Sequence, residues 1–155
     1  MLIFLDIDGV MVPGNSWKRP EFLNDGFPEF SPRAVKALQK IISETSADII
    51  LTTSHKSKYD LIEWKSIFKK RDLKINRIHR LEENVNYLNR RQEIMHWFNV
   101  NDCEAFIIID DDKSLNALPT FLKSKLIQTS ASVGLTDDLA NQALEIIQRD
   151  RYTPA

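Results

Sequence analysis

Cysteine is the scarcest chemistry in this chain. Cys103 stands alone among 155 residues, so neither an internal disulfide framework nor a multi-cysteine metal site can be built. Its place ahead of an apolar run reads as a packed or half-buried thiol rather than a nucleophile. Histidine is nearly as rare, at three, and no Ser-His-Asp arrangement can be assembled from the set. His79 and His96 read as surface or helix-packing residues, whereas His55 stands where it could reach a substrate. Long hydrophobic runs are missing too. The first apolar stretch is short and broken by Asp6 and Asp8, which excludes it as a signal peptide or a bilayer span. A cytoplasmic setting with no membrane partner fits best. With no repeat, low-complexity tract or linker to divide it, 1–155 reads as one domain, long enough to bury a real core.

A net charge of −1 leaves little charge of either sign overall, but its distribution is uneven. From His55 to Arg91 eleven Lys and Arg face five Asp and Glu, a surplus of six positive charges. The rest of the chain carries ten basic against seventeen acidic residues, a deficit of seven. An anionic partner is one reading of this asymmetry. The ordinary accumulation of Lys and Arg on helix surfaces is the other.

What the chain does have begins at Leu2 to Gly9, LIFLDIDG. A short apolar run without polar alternation is the pattern of a strand buried on both faces, as in a parallel α/β sheet. Ligands in such sheets sit outside the carboxyl ends of the strands, where Asp6 and Asp8 fall. Two carboxylates this close repel unless a cation lies between them or one holds a proton. A lone Asp-Gly is also a common turn, so the rest of the chain has to decide.

Residues 10–30 hold Pro13, Gly14, Pro20, Gly26 and Pro28, which predicts an irregular excursion rather than a folded unit. Loops of this length beside active sites are often functional. Trp17, Phe22, Phe27 and Phe30 are expected to tack it to the body, with contact to a substrate ring as the alternative role. Ser31-Pro32 opens a helix with Val35, Leu38, Ile41 and Ile42 on one face. A buried strand follows over Ala47 to Leu51, then a helix from about Lys58 to Lys70 and an edge strand over Lys74 to His79. Leu81 to Asn89 is polar and ambiguous. Arg90 to Phe98 is helical, Ala105 to Ile109 is a buried strand, and Leu115 to Lys123 is a short helix broken near Pro119. Lys125 to Thr129 is a last strand, and Thr136-Asp137-Asp138 caps a final helix through Ile147.

Alternating strands and helices imply an α/β fold: a Rossmann-like three-layer sandwich whose mostly parallel sheet of about five strands has helices on both faces. The buried strands all end in chemically capable residues: Asp6 and Asp8, Thr52 and Thr53, Asp110 and Asp111. Parallel strands bring those ends to one edge. Helix capping explains one such end, but three together point to a site.

With that set in view, the sequence resembles the haloacid dehalogenase-like (HAD) phosphohydrolases. Asp6-Ile7-Asp8-Gly9 matches their first motif, Thr52 in ILTTSH their second, and Asp110-Asp111 in FIIIDDD their fourth, in order over nearly the whole chain. More narrowly, LDIDGVMVP, the Thr-Thr-Ser-His-Lys stretch, RRQEIMHWF, IIIDDD and VGLT look like a small HAD group associated with RNA-repair proteins, in which His55-Lys56 replaces the usual Trp-Arg. The resemblance implies an enzyme, a phosphoric monoester hydrolase with Asp6 as nucleophile and an aspartyl-phosphate intermediate. It implies Mg²⁺ held by Asp6, Asp110 or Asp111, and the backbone carbonyl of Asp8, clamping a phosphoryl oxygen. Asp8 would protonate the leaving alcohol and then activate water, which needs a raised pKa. Thr52 and the amide of Thr53 would bind the transferring phosphoryl group. The third-motif Lys is absent. Arg90 or Arg91 is the best replacement, with Lys56 and Lys58 as further candidates, although a guanidinium is not equivalent to a compact ammonium. Asp112 and Lys113 read as a cap and a surface residue.

Neither place where this superfamily inserts a cap holds one, since 10–30 is an irregular loop and 99–104 is short. An open site suits a bulky phosphorylated substrate such as a nucleotide or nucleic-acid end. Phosphoproteins or small phosphometabolites are the alternative substrates. A catalytically weak domain serving as a binding or regulatory module is the alternative function. A dehalogenase is disfavoured by the second Asp of the Asp-x-Asp pair.

Overall fold

A computed structural model describes residues 1–14 and 20–152. Five strands form one parallel sheet: β1 (Leu2–Leu5), β2 (Asp48–Leu51), β3 (Ile78–Arg80), β4 (Phe106–Asp110) and β5 (Leu126–Gln128), in the order β3-β2-β1-β4-β5. The helices are α1 (Pro32–Thr45), α2 (Leu61–Lys70), α3 (Arg90–Val100), α4 (Thr120–Lys123) and α5 (Asp137–Tyr152), with a 3-10 helix over Lys113–Ala117. Central strand β1 is buried on both sides, as its unbroken apolar run requires.

Side-chain alternation divides the core in two. Ile3, Leu5, Ile49, Leu51, Ile107 and Ile109 face one way, toward the apolar residues of α1, α2 and α5. Phe4, Ile50 and Ile108 face the other, toward Ile94 of α3, Leu115 of the 3-10 helix and Leu122 of α4. The chain crosses from one face to the other between β3 and β4. Leu5 pairs in register with both Leu51 and Ile109, so the next residues, Asp6, Thr52 and Asp110, stand abreast. By the same alternation they share the face of Phe4, Ile50 and Ile108, which is the face covered by α3.

Local chemistry sets the helix ends. Ser31 Oγ accepts the Ala34 amide at 3.4 Å, with Pro32 in the first turn, as expected. The second helix starts at Leu61 rather than near Lys58, because Asp60 and Glu63 form a reciprocal capping box. In the ambiguous stretch, Asn89 and Gln92 form another and begin α3. The last helix runs beyond Ile147 to Tyr152. The third strand is at the edge but covers Ile78–Arg80, C-terminal to most of the expected span.

Of the excursion's aromatic residues, Phe27 and Phe30 are buried as expected. Phe22 corrects the expectation: it is 65% exposed and tacks nothing down. Trp17 lies outside the described residues. Much of the anchoring falls to a residue with no expected role, Arg71. Its guanidinium donates to both carboxylate oxygens of Asp25 at 2.7 and 3.0 Å and to the carbonyls of Phe27, Pro28 and Ile67. It also lies over the rings of Phe27 and Phe30.

Candidate active site

The first strand ends in a turn, not merely a stop. The amides of Val10, Met11 and Val12 all donate to the Ile7 carbonyl, wrapping the chain under the sheet edge. Gly9 makes the turn possible at φ +81°, and a Cβ there would overlap the Asp111 carboxylate. Glycine is therefore required twice, by the backbone and by the neighbouring acid. Thr129, just beyond β5, donates its hydroxyl to the Gly9 carbonyl at 2.6 Å. Thr129 had no assigned role, although a polar residue closing yet another strand was the available signal.

Asp6, Asp110 and Asp111 each offer a carboxylate oxygen within 4.8 Å of the others. Asp6 and Asp110 are buried, and Asp111 is half-buried. Arg90, at the start of α3, reaches into this group. Its Nη1 lies 2.5 Å from Asp110 Oδ2, 3.3 Å from Thr52 Oγ1 and 3.5 Å from Asp6 Oδ1. Thr52 also donates its hydroxyl to Asp110 Oδ2 at 3.2 Å. Behind Arg90 lies Glu93, with Oε1 3.9 Å from Arg90 Nε and Oε2 2.8 Å from Lys56 Nζ. Lys56 and Glu93 are both nearly inaccessible, so the pair closes the floor of the site. Glu93 had no assigned role. Its position three residues after Arg90 on one helix face was legible, but its partner 37 residues away was not.

The remaining candidates are less central. Thr53 is buried and accepts the His55 amide at 3.3 Å. Arg91 turns its guanidinium to Met95 Sδ at 3.4 Å, while its amide donates to Ser114 Oγ. Asp8 has an exposed side chain whose Oδ2 lies 2.8 Å from His55 Nε2. Lys58 is exposed. Asp112 caps the 3-10 helix through the Ser114 amide, and Lys113 is exposed, as read. His79 and His96 are exposed, and Cys103 is half-buried against the α3 side of the core. A cavity of about 260 Å³ lies between α3 and residues 81–88. Its lining includes Glu82, Glu83 and Glu93, which makes it a poor receptor for phosphate.

Electrostatics distinguishes the aspartate cluster from ordinary strand-end capping. Burial, then the charge of Asp110, push the Asp6 carboxyl up to about 9 despite the pull of Arg90. Burial also raises Asp110 against the same guanidinium. For Arg90, burial works against the charge, but Asp110 and Asp6 outweigh it and leave the pKa above its ordinary value. Once Asp6 gives up its proton, four carboxylates (Asp6, Asp110, Asp111 and Glu93) meet two cations (Arg90 and Lys56), so the ionised group lacks two positive charges. One hard divalent ion on oxygen ligands would supply them. The residues present therefore fit Mg²⁺.

A parallel 3-2-1-4-5 sheet with Asp-x-Asp, Thr and Asp-Asp abreast at its carboxyl edge is the architecture of a HAD-type domain, here with no cap among the described residues. The family model described as the HAD domain in Swiss Army Knife RNA repair proteins matches residues 2–140, and the chain belongs to that family. No curated protein and no solved structure matches it. Among the described residues, no helix is long and apolar enough to cross a membrane.

Proposed function

We propose that the chain is a Mg²⁺-dependent phosphomonoester hydrolase that works through an aspartyl-phosphate on Asp6. The observation that carries this reading is the convergence of Asp6, Asp110, Asp111, Thr52 and Arg90 at one sheet edge, with Asp8 projecting into solvent above them. Asp6, Asp110, Asp111 and the Asp8 carbonyl would hold the ion, which neutralises charge on a phosphoryl oxygen when bound. An Asp6 carboxylate oxygen forms a bond to phosphorus as the ester P–O bond breaks. The electron pair of that bond goes to the leaving oxygen, which takes the Asp8 proton and departs as an alcohol. Asp8, now a carboxylate, accepts a proton from water, whose oxygen bonds to phosphorus as the bond to Asp6 breaks. The net reaction consumes one water and returns both aspartates to their starting states.

Thr52 and the Thr53 amide hydrogen-bond the phosphoryl oxygens, and Arg90 serves as the third-motif cation. Lys56 contributes from below by fixing Glu93, whose carboxylate stands 3.9 Å from Arg90 Nε and adds negative charge beside it. Arg91 would need a rotamer change to join them. The substrate is the phosphate of a nucleotide or nucleic-acid end: no folded cap encloses the site among the described residues, and the family is described by its place in RNA repair proteins. Phosphoproteins and small phosphometabolites are the competing substrates, and a non-catalytic module is the competing function.

The decisive measurement is Mg²⁺-dependent release of phosphate from an aryl phosphate and from 5′- and 3′-phosphorylated oligonucleotides. Asp6→Asn should cost more than about 10³-fold in kcat while leaving the fold intact. Undiminished turnover in that variant would remove the nucleophile and the proposal with it.

A further inference from the structure

Asp8 differs from the rest of the constellation in how it is held. Asp6 and Asp110 are locked by burial and by Arg90, whereas the Asp8 side chain is 60% exposed. An exposed carboxylate has several staggered rotamers open to it, yet proton transfer needs hydrogen-bond reach of the leaving oxygen. Among the described residues, the side chain in contact with it is His55, at 2.8 Å from Nε2 to Oδ2.

His55 is itself fixed from several directions. Its amide donates to Thr53 Oγ1 at 3.3 Å, and its carbonyl accepts the Lys58 amide at 2.9 Å. Its ring stands edge-on to Phe27, with centroids 6.2 Å apart and planes at 87°. Phe27 is 3% exposed and meets Trp64 and Tyr59 edge-on at 5.3 and 5.9 Å, with the Arg71 guanidinium over it. A continuous run of contacts thus links the buried Trp64 to the outermost carboxylate of the site. The irregular excursion supplies its middle member.

We propose that His55 is a positioning residue that holds the Asp8 carboxyl in the orientation for proton transfer to the leaving oxygen, with Phe27 setting the imidazole. This inference rests on the phosphatase reading above. Its kinetic signature follows from the chemistry. When the P–O bond breaks toward an alkoxide, the departing electron pair needs the Asp8 proton at once. A nitrophenolate can leave without it. Hydrolysis of the Asp6-phosphate uses Asp8 for both esters, so the contrast belongs to leaving-group departure, read in kcat/KM: loosening Asp8 should slow that step much more for alkyl esters than for activated aryl esters, a difference that general loss of structure would not produce.

The test compares p-nitrophenyl phosphate with an unactivated alkyl phosphate in the full chain. His55→Ala should lower kcat/KM on the alkyl ester by about 30-fold or more and on the aryl ester by about threefold or less. His55→Gln, whose amide can still donate to Asp8, should recover most of the alkyl activity. The contact is read without turnover from the imidazole ¹⁵N spectrum, where Asp8→Asn should move the His55 resonances and leave those of His79 and His96 in place. Equal losses on the two esters, no loss on either, or an unmoved His55 signal would each overturn the inference while leaving the phosphatase reading standing. Failure of the wild-type protein to hydrolyse either ester would bring down that reading, and this inference with it.

Discussion

Asp6 carries a carboxyl that water would ionise, and the fold opposes that ionisation. Its pKa, pushed up to about 9 by burial and then by Asp110, means that at neutral pH the cation-free protein holds a proton that the unfolded chain has lost. The cation-free fold should therefore lose stability as pH rises from the ordinary aspartate range toward 9. A divalent ion must displace that proton. Its affinity should consequently strengthen with pH up to about 9 and level off above, with release of up to one proton per ion. Titration calorimetry of Mg²⁺ binding in two buffers of different ionisation heat measures both quantities. Affinity that stays flat between pH 6 and 9 would contradict the assignment. At this scale the acidic residues were legible because each ends an apolar run, and strand register does the rest. Arg90 could not be separated from Arg91 by sequence, since the choice depends on which guanidinium helix α3 turns toward the sheet.

Arg71 shows how much of an element's placement can rest on one side chain. It lies just beyond α2, yet it ties residues 25–28 to the helix through hydrogen bonds to Asp25, Phe27 and Pro28. Its side chain is 2% exposed and that of Asp25 11%, so removing one partner strands a charge in a dry setting. Arg71→Met should cost about 3 kcal/mol in chemical denaturation and should loosen Phe27 as well. The hydrogen bond from Arg71 holds the Asp25 carboxyl below its ordinary pKa. Its contribution is complete above the unfolded-state value near 4 and is lost as pH falls through the folded value. Asp25→Asn should flatten this acid-side loss of stability, and an unchanged acid profile would refute the assignment. None of this was readable from the breaker-rich stretch. Phe22, Phe27 and Phe30 look alike in sequence, and partners distant in the chain, Trp64, Phe68 and Arg71, distinguish the buried rings from the exposed one. The start of α3, by contrast, was legible at Arg90, where the structure places it; only the polar segment before it gave no apolar contrast to read.

With no cap among the described residues, charge over the whole surface bears on what arrives at the active edge. The surplus of positive charge between His55 and Arg91 should favour a polyanion and should be screened by salt. If the substrate is a phosphorylated oligonucleotide end, kcat/KM should fall several-fold between about 50 and 200 mM salt, while that for a small sugar phosphate changes little. Matching salt profiles, or a preference for the sugar phosphate, would exclude the nucleic-acid substrate. The sheet also divides its apolar residues unequally. The face under α1, α2 and α5 carries the larger cluster, while α3 contributes one fully buried residue, Ile94. The half-buried Trp97 and Phe98 of α3 pack on Phe4 and Phe106, and α3 is the segment that delivers Arg90 to the cluster. Saturation with Mg²⁺ and inorganic phosphate should therefore slow deuterium uptake chiefly along α3, and uptake there that ignores both would break the connection. The second face of the sheet would then act as this protein's gauge: whatever fills the aspartate cluster adds one more fastening to the helix that carries Arg90.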